Sequence, residues 1–169
     1  MRIKNNAALL LLSALSITAN ADFVIGTCTI KTPNPPATSC PGAYLRYALL
    51  NNINLANANF SGANLTRTHF ENTILIGANL SSADLSDATP HSADLTNTNL
   101  TNANLTNTTL YNTILTGATL TGANMSQALM IGVRSGSLIG SPTALPTNWQ
   151  IINGFLIGPD TSLHGDNLT

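Results

Sequence analysis

The sequence predicts an all-β solenoid built from one short unit repeated along the chain. An apolar residue returns at every fifth position from Leu45 to Met130, and a small residue, usually Ala or Thr, stands two positions before it. A period of five fits neither the 3.6-residue period of a helix nor the two-residue period of a strand. Each unit must therefore combine a short segment with a corner, and it buries its apolar residue only by stacking on neighbouring turns.

The composition indicates a surface covered by neutral polar groups. Charged residues make up 8 % of the 169 residues, far below the roughly 25 % of an average soluble protein. Asn, Thr and Ser must therefore keep the exterior wet. The formal net charge of −1 predicts neither nucleic acid nor an anionic membrane as a partner.

Residues 1–21 have the pattern of a secretory signal peptide. Arg2 and Lys4 precede an apolar run from residue 7 to residue 17, and the small-x-small sequence of residues 19–21 follows. The run is too short to span a bilayer. We expect cleavage after Ala21, export to a bacterial periplasm or the cell exterior, and no membrane contact afterwards. The mature chain would carry four basic and seven acidic residues, a charge of 4 − 7 = −3.

Residues 22–42 are interpreted as an N-terminal cap that covers the open end of the solenoid. Cys28 and Cys40 are the two cysteines of the chain and flank a proline-rich loop. In an oxidising compartment such a pair is most simply a disulfide. A metal site would need more ligands nearby, and the residues before Cys28 form a poor lipoprotein cleavage site.

The repeated units resemble the pentapeptide-repeat family, whose consensus is Ala-(Asp/Asn)-Leu-x-x. Units that carry the resemblance are Ala63-Asn64-Leu65-Thr66, Ala83-Asp84-Leu85-Ser86, Ala93-Asp94-Leu95-Thr96 and Ala103-Asn104-Leu105-Thr106. The resemblance implies a right-handed quadrilateral β-helix with four units per turn and an inward-facing apolar centre in each unit. Residues 43–132 would then form about four and a half coils, since 90/20 = 4.5.

With four units per turn, centres twenty residues apart stack in four columns, one behind each face of the coil. Face A has the centres Leu45, Leu65, Leu85, Leu105 and Met125; face B has Leu50, Phe70, Pro90, Leu110 and Met130; face C has Leu55, Leu75, Leu95 and Leu115; face D has Phe60, Leu80, Leu100 and Leu120. Pro90 departs from the pattern because it has no N–H for a ladder bond. We expect a bulge or kink over residues 87–91.

The repeat phase breaks after Met130. Residues 133–160 are predicted to form a loop and then a strand-like run over residues 151–158, with Trp149 and Phe155 covering the open core. Residues 161–169 resemble the start of a further, incomplete array in a shifted phase. The open solenoid end offers a route to oligomers.

The most regular outward surface is the face D ladder, two parallel rows of amides and hydroxyls. Its members are Asn59, Ser61, Asn79, Ser81, Asn99, Thr101, Thr119 and Thr121. Such rows could meet a periodic ligand such as a glycan or an ice surface. The alternative is that these residues only favour the turns of the repeat and keep the surface wet.

Face B carries the one grouping with metal-ligand chemistry. His69, Glu71, His91 and Tyr111 fall near one vertical line, and two His with a Glu are suitable Zn²⁺ ligands. Exposed side chains on a repeat surface also meet by chance, and nothing predicts an enclosing pocket. We therefore predict no metal site and no other cofactor. Because no nucleophile, base and oxyanion arrangement can be assembled, we also predict no enzymatic activity.

The sequence favours a non-enzymatic, exported scaffold that is structural or binds a protein partner. Isoleucines replace polar residues on face C at Ile74, Ile76 and Ile114 and could form an apolar patch for that partner. The alternative is a binder of a glycan or ice-like ligand through the face D ladder. The third and least favoured hypothesis is topoisomerase protection by DNA mimicry, which the resemblance implies because some family members have this role. That role requires a strongly acidic cytosolic rod.

Overall fold

The computed structural model describes residues 2–3, 23–25, 28–31 and 37–159. It confirms the right-handed quadrilateral β-helix. The strands outside the coil are β1 (Arg2–Ile3), β2 (Phe23–Ile25), β3 (Cys28–Ile30), β4 (Gln150–Ile152) and β5 (Phe155–Ile157). The predicted signal cleavage site and the shifted repeats of residues 161–169 lie outside the described residues. Those described residues contain no helix with the length and apolar character needed to cross a membrane.

Parallel bridges between residues twenty apart hold the coils together. Asn64, for example, bridges Tyr44 in the coil before it and Asp84 in the coil after it. Its N–H donates to the carbonyl of Ala43 at 2.9 Å, and the next N–H, of Leu65, donates to the carbonyl of Asp84 at 2.7 Å. Each face is thus a narrow parallel sheet in which one bridged residue per coil forms the strand.

A tight turn at each corner explains the period of five. The N–H of Thr68 donates to the carbonyl of Leu65 at 3.0 Å, and Arg67 between them has a φ of 56°. A left-handed third residue is the signature of a type II turn, which favours Gly and Asn there. Most corners follow that preference, as at Asn72, Asn97 and Gly117.

Every predicted centre that was singled out as core is buried. Exposure is at most 1 % for Leu45, Leu55, Leu65, Leu75, Leu85, Leu95, Leu105, Leu115, Phe60 and Phe70. The inward threonines between them keep their hydroxyls paired: the Thr98 hydroxyl donates to the Leu75 carbonyl at 2.9 Å. Their methyl groups add to the apolar filling while the backbone satisfies the buried hydroxyl.

The coil begins earlier than the repeat phase indicates. Ser39 already bridges Asn59, and Cys40, 4 % exposed, occupies the inward centre position above Phe60. A disulfide joins Cys40 to Cys28 at the start of β3. β3 pairs antiparallel with β2, and β2 pairs parallel with β1. The disulfide therefore ties the cap hairpin directly to the first unit of the coil.

Pro90 causes no bulge, so the expected kink over residues 87–91 is wrong. The flanking ladder bonds are intact: Asp87 donates to Thr106 at 3.0 Å and Ser92 donates to Tyr111 at 2.9 Å. The turn after Pro90 also closes normally, with the Ala93 N–H 3.0 Å from the Pro90 carbonyl. The φ that the proline ring imposes is compatible with this backbone, and the cost is the single bond that Pro90 cannot donate.

The ladder also continues beyond the last recognisable repeat. Arg134, Ile139 and Ala144 bridge residues twenty positions earlier, although residues 133–144 carry no pentapeptide consensus. The strand-like run that follows is a hairpin of β4 and β5 around Asn153 and Gly154, whose φ values are 50° and 79°. Two left-handed residues of this type form a type I′ turn.

The hairpin covers part of the C-terminal core. Leu156 is 1 % exposed, and Trp149 and Ile151 pack against the buried cluster. The indole of Trp149 lies directly on Gly158, where a Cβ would overlap it. A shallow groove of about 350 Å³ remains beside it, lined by residues 141–145 and 149–151.

Candidate interaction faces of the coil

The face D ladder has the predicted vertical alignment, and its amides are largely used within the coil. Asn59, Asn79 and Asn99 bridge one another in sequence. Each side-chain oxygen accepts the N–H two residues later, at 3.1, 3.1 and 3.0 Å respectively. These are Asx turns that stiffen the corner. The remaining outward groups are hydroxyls whose residues are mostly half-buried, so it is the amide oxygens that are less available to a ligand.

Face B brings His69, Glu71 and Thr89 together but not His91. Glu71 Oε1 lies 3.1 Å from His69 Nδ1 and accepts a bond from the Thr89 hydroxyl at 2.6 Å. Burial raises the pKa of Glu71, but hydrogen bonds from Thr89, its own backbone and His69 outweigh it, and the net pKa is lowered. His91 instead packs edge-on against Tyr111, with ring centroids 5.0 Å apart.

The described part of the chain contains no group of three or more His, Cys, Asp and Glu side chains placed to hold a metal ion. The hydrogen bonds of Glu71 to His69 and Thr89 are a structural network on the surface of the coil. The arrangement offers no reacting centre, because its groups pair with one another on an open face.

The C-terminal end of face B carries a contiguous apolar patch. It consists of Tyr111, Leu129 and Ile131, which are 40 %, 58 % and 48 % exposed, and we name it the face B patch. Ile131 lies one coil below Tyr111, and Leu129 stands two positions from it on the same strand. This patch was not predicted, although the apolar residues at both outward positions around Met130 indicate it in the sequence.

The isoleucines of face C do not form one continuous surface. Ile74 and Ile76 are exposed, but Asp94 lies between Ile74 and Ile114 in the same bridged column. The carboxylate divides the column, so face C is a weaker candidate for an apolar partner than the face B patch.

Face A gathers basic and aromatic side chains at its N-terminal end. Arg67 and Asp87 form a salt bridge, with Arg67 Nε 3.2 Å from Asp87 Oδ2. Arg67 also donates to the Tyr47 hydroxyl at 3.0 Å, and Arg46 donates to the same hydroxyl at 3.1 Å. Sequence reasoning missed this convergence, because only the twenty-residue stacking places Tyr47 over Arg67.

Comparisons with known proteins agree with this architecture. The family model described as pentapeptide repeats (8 copies) matches residues 39–75, 53–89 and 91–130. Comparison with curated proteins finds no significant match.

Three pentapeptide repeat proteins of solved structure are similar to this chain. Rfr23 from the cyanobacterium Cyanothece 51142 shares 28 % identity over 61 % of this chain and 91 % of its own, with a TM-score of 0.55. A thylakoid-lumen protein of Arabidopsis thaliana shares 26 % identity over 55 % of this chain and 61 % of its own, TM-score 0.41. HetL from Nostoc sp. strain PCC 7120, involved in heterocyst differentiation regulation, shares 28 % identity over 61 % and 50 %, TM-score 0.37.

Proposed function

We propose that this chain, which belongs to the pentapeptide repeat family, is a non-enzymatic, exported scaffold that binds a protein partner through the face B patch. Proteins of this family are in general scaffolds without catalytic activity. The observation that carries the proposal is the combination, at one place on the coil, of exposed apolar side chains and an unpaired strand edge.

The apolar side chains supply the first half of that observation. Tyr111, Leu129 and Ile131 each expose between 40 % and 58 % of their surface in a chain whose outward positions are otherwise mostly Asn, Thr and Ser. Contiguous exposed apolar groups of this kind mark interaction sites, because burying them against a partner is favourable.

The backbone supplies the second half. In the coil before, the N–H groups of Leu110 and Asn112 donate to Leu129 and Ile131 at 2.8 and 2.9 Å. The equivalent N–H groups of the last coil, on Met130 and Gly132, have no partner among the described residues. Because an unpaired edge is a template for another strand, the partner is an extended segment of another polypeptide that adds a strand here and places apolar side chains on the patch.

Export is supported by the cysteines and by the N-terminal sequence. Cys28 and Cys40 are joined in a disulfide that anchors the cap to the coil, and such bonds persist in oxidising compartments. The first 21 residues carry the charge, apolar run and small-x-small site of a signal peptide. Mass spectrometry of the protein from the exported fraction should find an N-terminus at Asp22; protein retained in the cytosol with Met1 intact would overturn this half of the proposal.

A capture experiment tests the binding half. The exported fraction of the source organism is passed over the immobilised wild-type chain, a Leu129→Lys/Ile131→Lys variant and an Ile74→Lys/Ile76→Lys control on face C. We expect a defined set of proteins on the wild type and the control that is absent from the face B variant. An identical set on all three, or no retained protein on any, would overturn the proposal.

No specific observation favours either alternative function, glycan or ice binding or DNA mimicry. The amide oxygens of the face D ladder accept the hydrogen bonds of Asx turns, so a glycan or ice surface would have to be bound mainly by the ladder hydroxyls. For DNA mimicry the described coil offers four carboxylates, on Glu71, Asp84, Asp87 and Asp94, and Asp87 is paired with Arg67.

A further inference from the structure

The N-terminal end of face A presents a second and chemically different surface. Tyr44, Arg46, Tyr47 and Arg67 lie side by side on its first two coils, and we name them the Tyr-Arg patch. Tyr44 and Tyr47 are 57 % and 42 % exposed, and the Arg67 side chain is 51 % exposed. The whole sequence has only six Lys and Arg residues, so two on one patch are a local concentration of positive charge.

The two guanidinium groups are held close together by one tyrosine. Both donate to the Tyr47 hydroxyl, at 3.1 Å from Arg46 and 3.0 Å from Arg67. Their central carbons lie 4.9 and 5.8 Å from the centre of the Tyr47 ring. Hydrogen bonds from Arg46 and then from Arg67 lower the pKa of Tyr47. The arrangement therefore stabilises negative charge at the point where the two cations meet.

The patch retains a net positive charge. Arg67 has a carboxylate partner in Asp87 at 3.2 Å, whereas no carboxylate of the described residues pairs with Arg46. Two guanidiniums against one carboxylate leave 2 − 1 = +1. Each guanidinium carries five N–H donors, and the hydrogen bonds to Tyr47 and Asp87 use only some of them. The Nε of Arg46 is buried and has no hydrogen-bond partner, so the donors for an external anion are the remaining N–H groups at the outer ends of the two guanidiniums.

The surroundings of the patch distinguish it from a protein-docking surface. Its neighbours one coil below Tyr44 and Arg46 are Asn64 and Thr66, and no exposed aliphatic side chain lies on the face A strands of these two coils. Tyr and Arg also occur in protein hot spots, but there they lie in well-packed, desolvated pockets. An open aromatic ring beside cations and neutral polar groups instead suits a ligand with C–H faces, hydroxyls and an anionic substituent.

We propose that the Tyr-Arg patch binds an acidic saccharide, with its carboxylate or sulfate against Arg46 and Arg67 and a sugar ring against Tyr44. This site is separate from the face B patch and does not depend on the proposed protein partner. Guanidinium groups bind carboxylate and sulfate oxygens through charge-assisted hydrogen bonds. The coil would thus carry a saccharide site near its N-terminal end and a protein site near its C-terminal end.

Calorimetric titration of the full chain tests this proposal. The probes are an oligogalacturonate, which carries carboxylates, a carrageenan-derived oligosaccharide of equal length, which carries sulfates and no carboxylates, and neutral maltotetraose. We expect binding of at least one acidic probe that weakens as salt rises, and none of maltotetraose. Comparison of the two acidic probes identifies which anion is preferred.

Matched variants make the test specific. Arg46→Gln should raise the Kd about tenfold through loss of charge-assisted bonds, and Tyr44→Ala should weaken binding as well. Arg134→Gln and Tyr111→Ala, on faces C and B, serve as controls and should bind like the wild type. Circular dichroism confirms that all variants keep the fold.

Three outcomes would overturn the proposal. The first is no binding of either acidic probe at millimolar concentration. The second is a loss of affinity in Arg134→Gln equal to that in Arg46→Gln, which would indicate non-specific electrostatic attraction. The third is tighter binding of hexaglutamate than of either saccharide, which would assign the patch to an acidic protein segment.

Discussion

At the residue scale, the corner residues contact one another along the coil axis. The side-chain oxygen of Asn97 lies over Gly117, and Asn102, Asn57 and Asn112 lie in the same way over the glycine twenty residues later. At Gly62, in contrast, a Cβ would meet nothing within 4 Å. Glycine therefore suits these corners for two reasons. It adopts the left-handed φ at every one of them, and it leaves room for the side chain of an Asn where one lies in the coil before.

The variants Gly117→Ala and Gly62→Ala distinguish these two reasons. Both glycines have a left-handed φ, 69° and 64°, so both variants should lose about 1 kcal/mol of unfolding free energy. Gly117→Ala should lose roughly 0.5 to 1 kcal/mol more, because the amide end of Asn97 must turn away from the new Cβ. Urea unfolding measures the difference, and Asn97→Gly in the Gly117→Ala background should restore part of it. Equal losses for the two single variants would contradict the close contact.

Carboxylates on the coil accept hydrogen bonds from residues of neighbouring coils. Asp84 accepts hydrogen bonds from Ser86 N–H at 3.0 Å, Asn104 Nδ2 at 3.0 Å and Thr66 Oγ1 at 3.2 Å. Burial raises the pKa of Asp84, but the hydrogen bonds from Ser86, Thr66 and Asn104 outweigh it, so the net pKa is lowered. The ionised form is therefore favoured in the folded state.

A lowered pKa predicts a loss of stability in acid. The contribution of Asp84 is fully present above its unfolded pKa, close to the ordinary value of 3.8, and it is lost as the pH falls through the lower folded pKa. Urea unfolding of the wild type should therefore show a decreasing unfolding free energy between about pH 5 and about pH 2. Asp84→Asn should flatten that decrease. Identical pH profiles for the two proteins would contradict the assigned hydrogen bonds.

At the scale of elements, the first unit of the coil depends on a covalent bond to the cap. Cys40 fills the inward position above Phe60, and its disulfide partner Cys28 lies in β3. Thr38, fully buried in the same unit, accepts a hydrogen bond from the Lys31 N–H at 2.9 Å. The cap is therefore joined to the coil through both the disulfide and the backbone.

Removal of this disulfide should cost about 3 kcal/mol. The bond closes a loop with a sequence separation of 12, and the chain-entropy estimate for a loop of this size is about 3 kcal/mol. The Cys28→Ser/Cys40→Ser variant and the reduced wild type should unfold at similar, lower urea concentrations than the oxidised wild type. An unchanged midpoint in the variant would show that the cap is held by its other contacts alone.

At the scale of the whole molecule, one continuous column of side chains runs behind each face. Leu75 is fully buried between Leu55 and Leu95, and each of these centres touches only the coils next to it. Stability in such a solenoid is the sum of contacts between neighbouring coils. A cavity in a central column therefore weakens two interfaces at once.

The variants Leu75→Ala and Leu129→Ala test this organisation with one chemical change at an inward and an outward position. Leu75→Ala should lower the unfolding free energy by about 2 to 5 kcal/mol, as cavities in packed cores do. Leu129→Ala, at a side chain that is 58 % exposed, should change it by less than about 0.5 kcal/mol. Similar effects at both positions would be inconsistent with an inward column at Leu75.

The structure extended the predicted fold at both of its ends. Cys40 lies in phase with the centres, and Thr38 stands two positions before it, but this unit was assigned to the cap because a cysteine does not match the repeat consensus. The period of five could not reveal the ladder through Ala144, because backbone bonds there need no particular side chain. The hairpin could have been predicted from the sequence, since Asn153-Gly154 is the preferred dipeptide of a type I′ turn.

The candidate surfaces were predicted less well than the fold. The face D ladder is aligned as expected, but its amides are taken up by turns. The face B patch and the Tyr-Arg patch were not singled out, although stacking residues twenty apart aligns their members, because the repeat consensus does not restrict outward side chains.

By itself, the sequence determined the inward half of this protein: a small residue and an apolar centre in each unit specify a coil, because a short repeated unit can bury them only by stacking. The tertiary structure decided the outward half. Whether a neutral amide closes a turn, two arginines bond to one tyrosine, or the Met130 N–H finds a partner among the described residues depends on the coils above and below. Outward side chains are constrained by those neighbours and not by the repeat, so their chemistry emerges only when the coils are stacked.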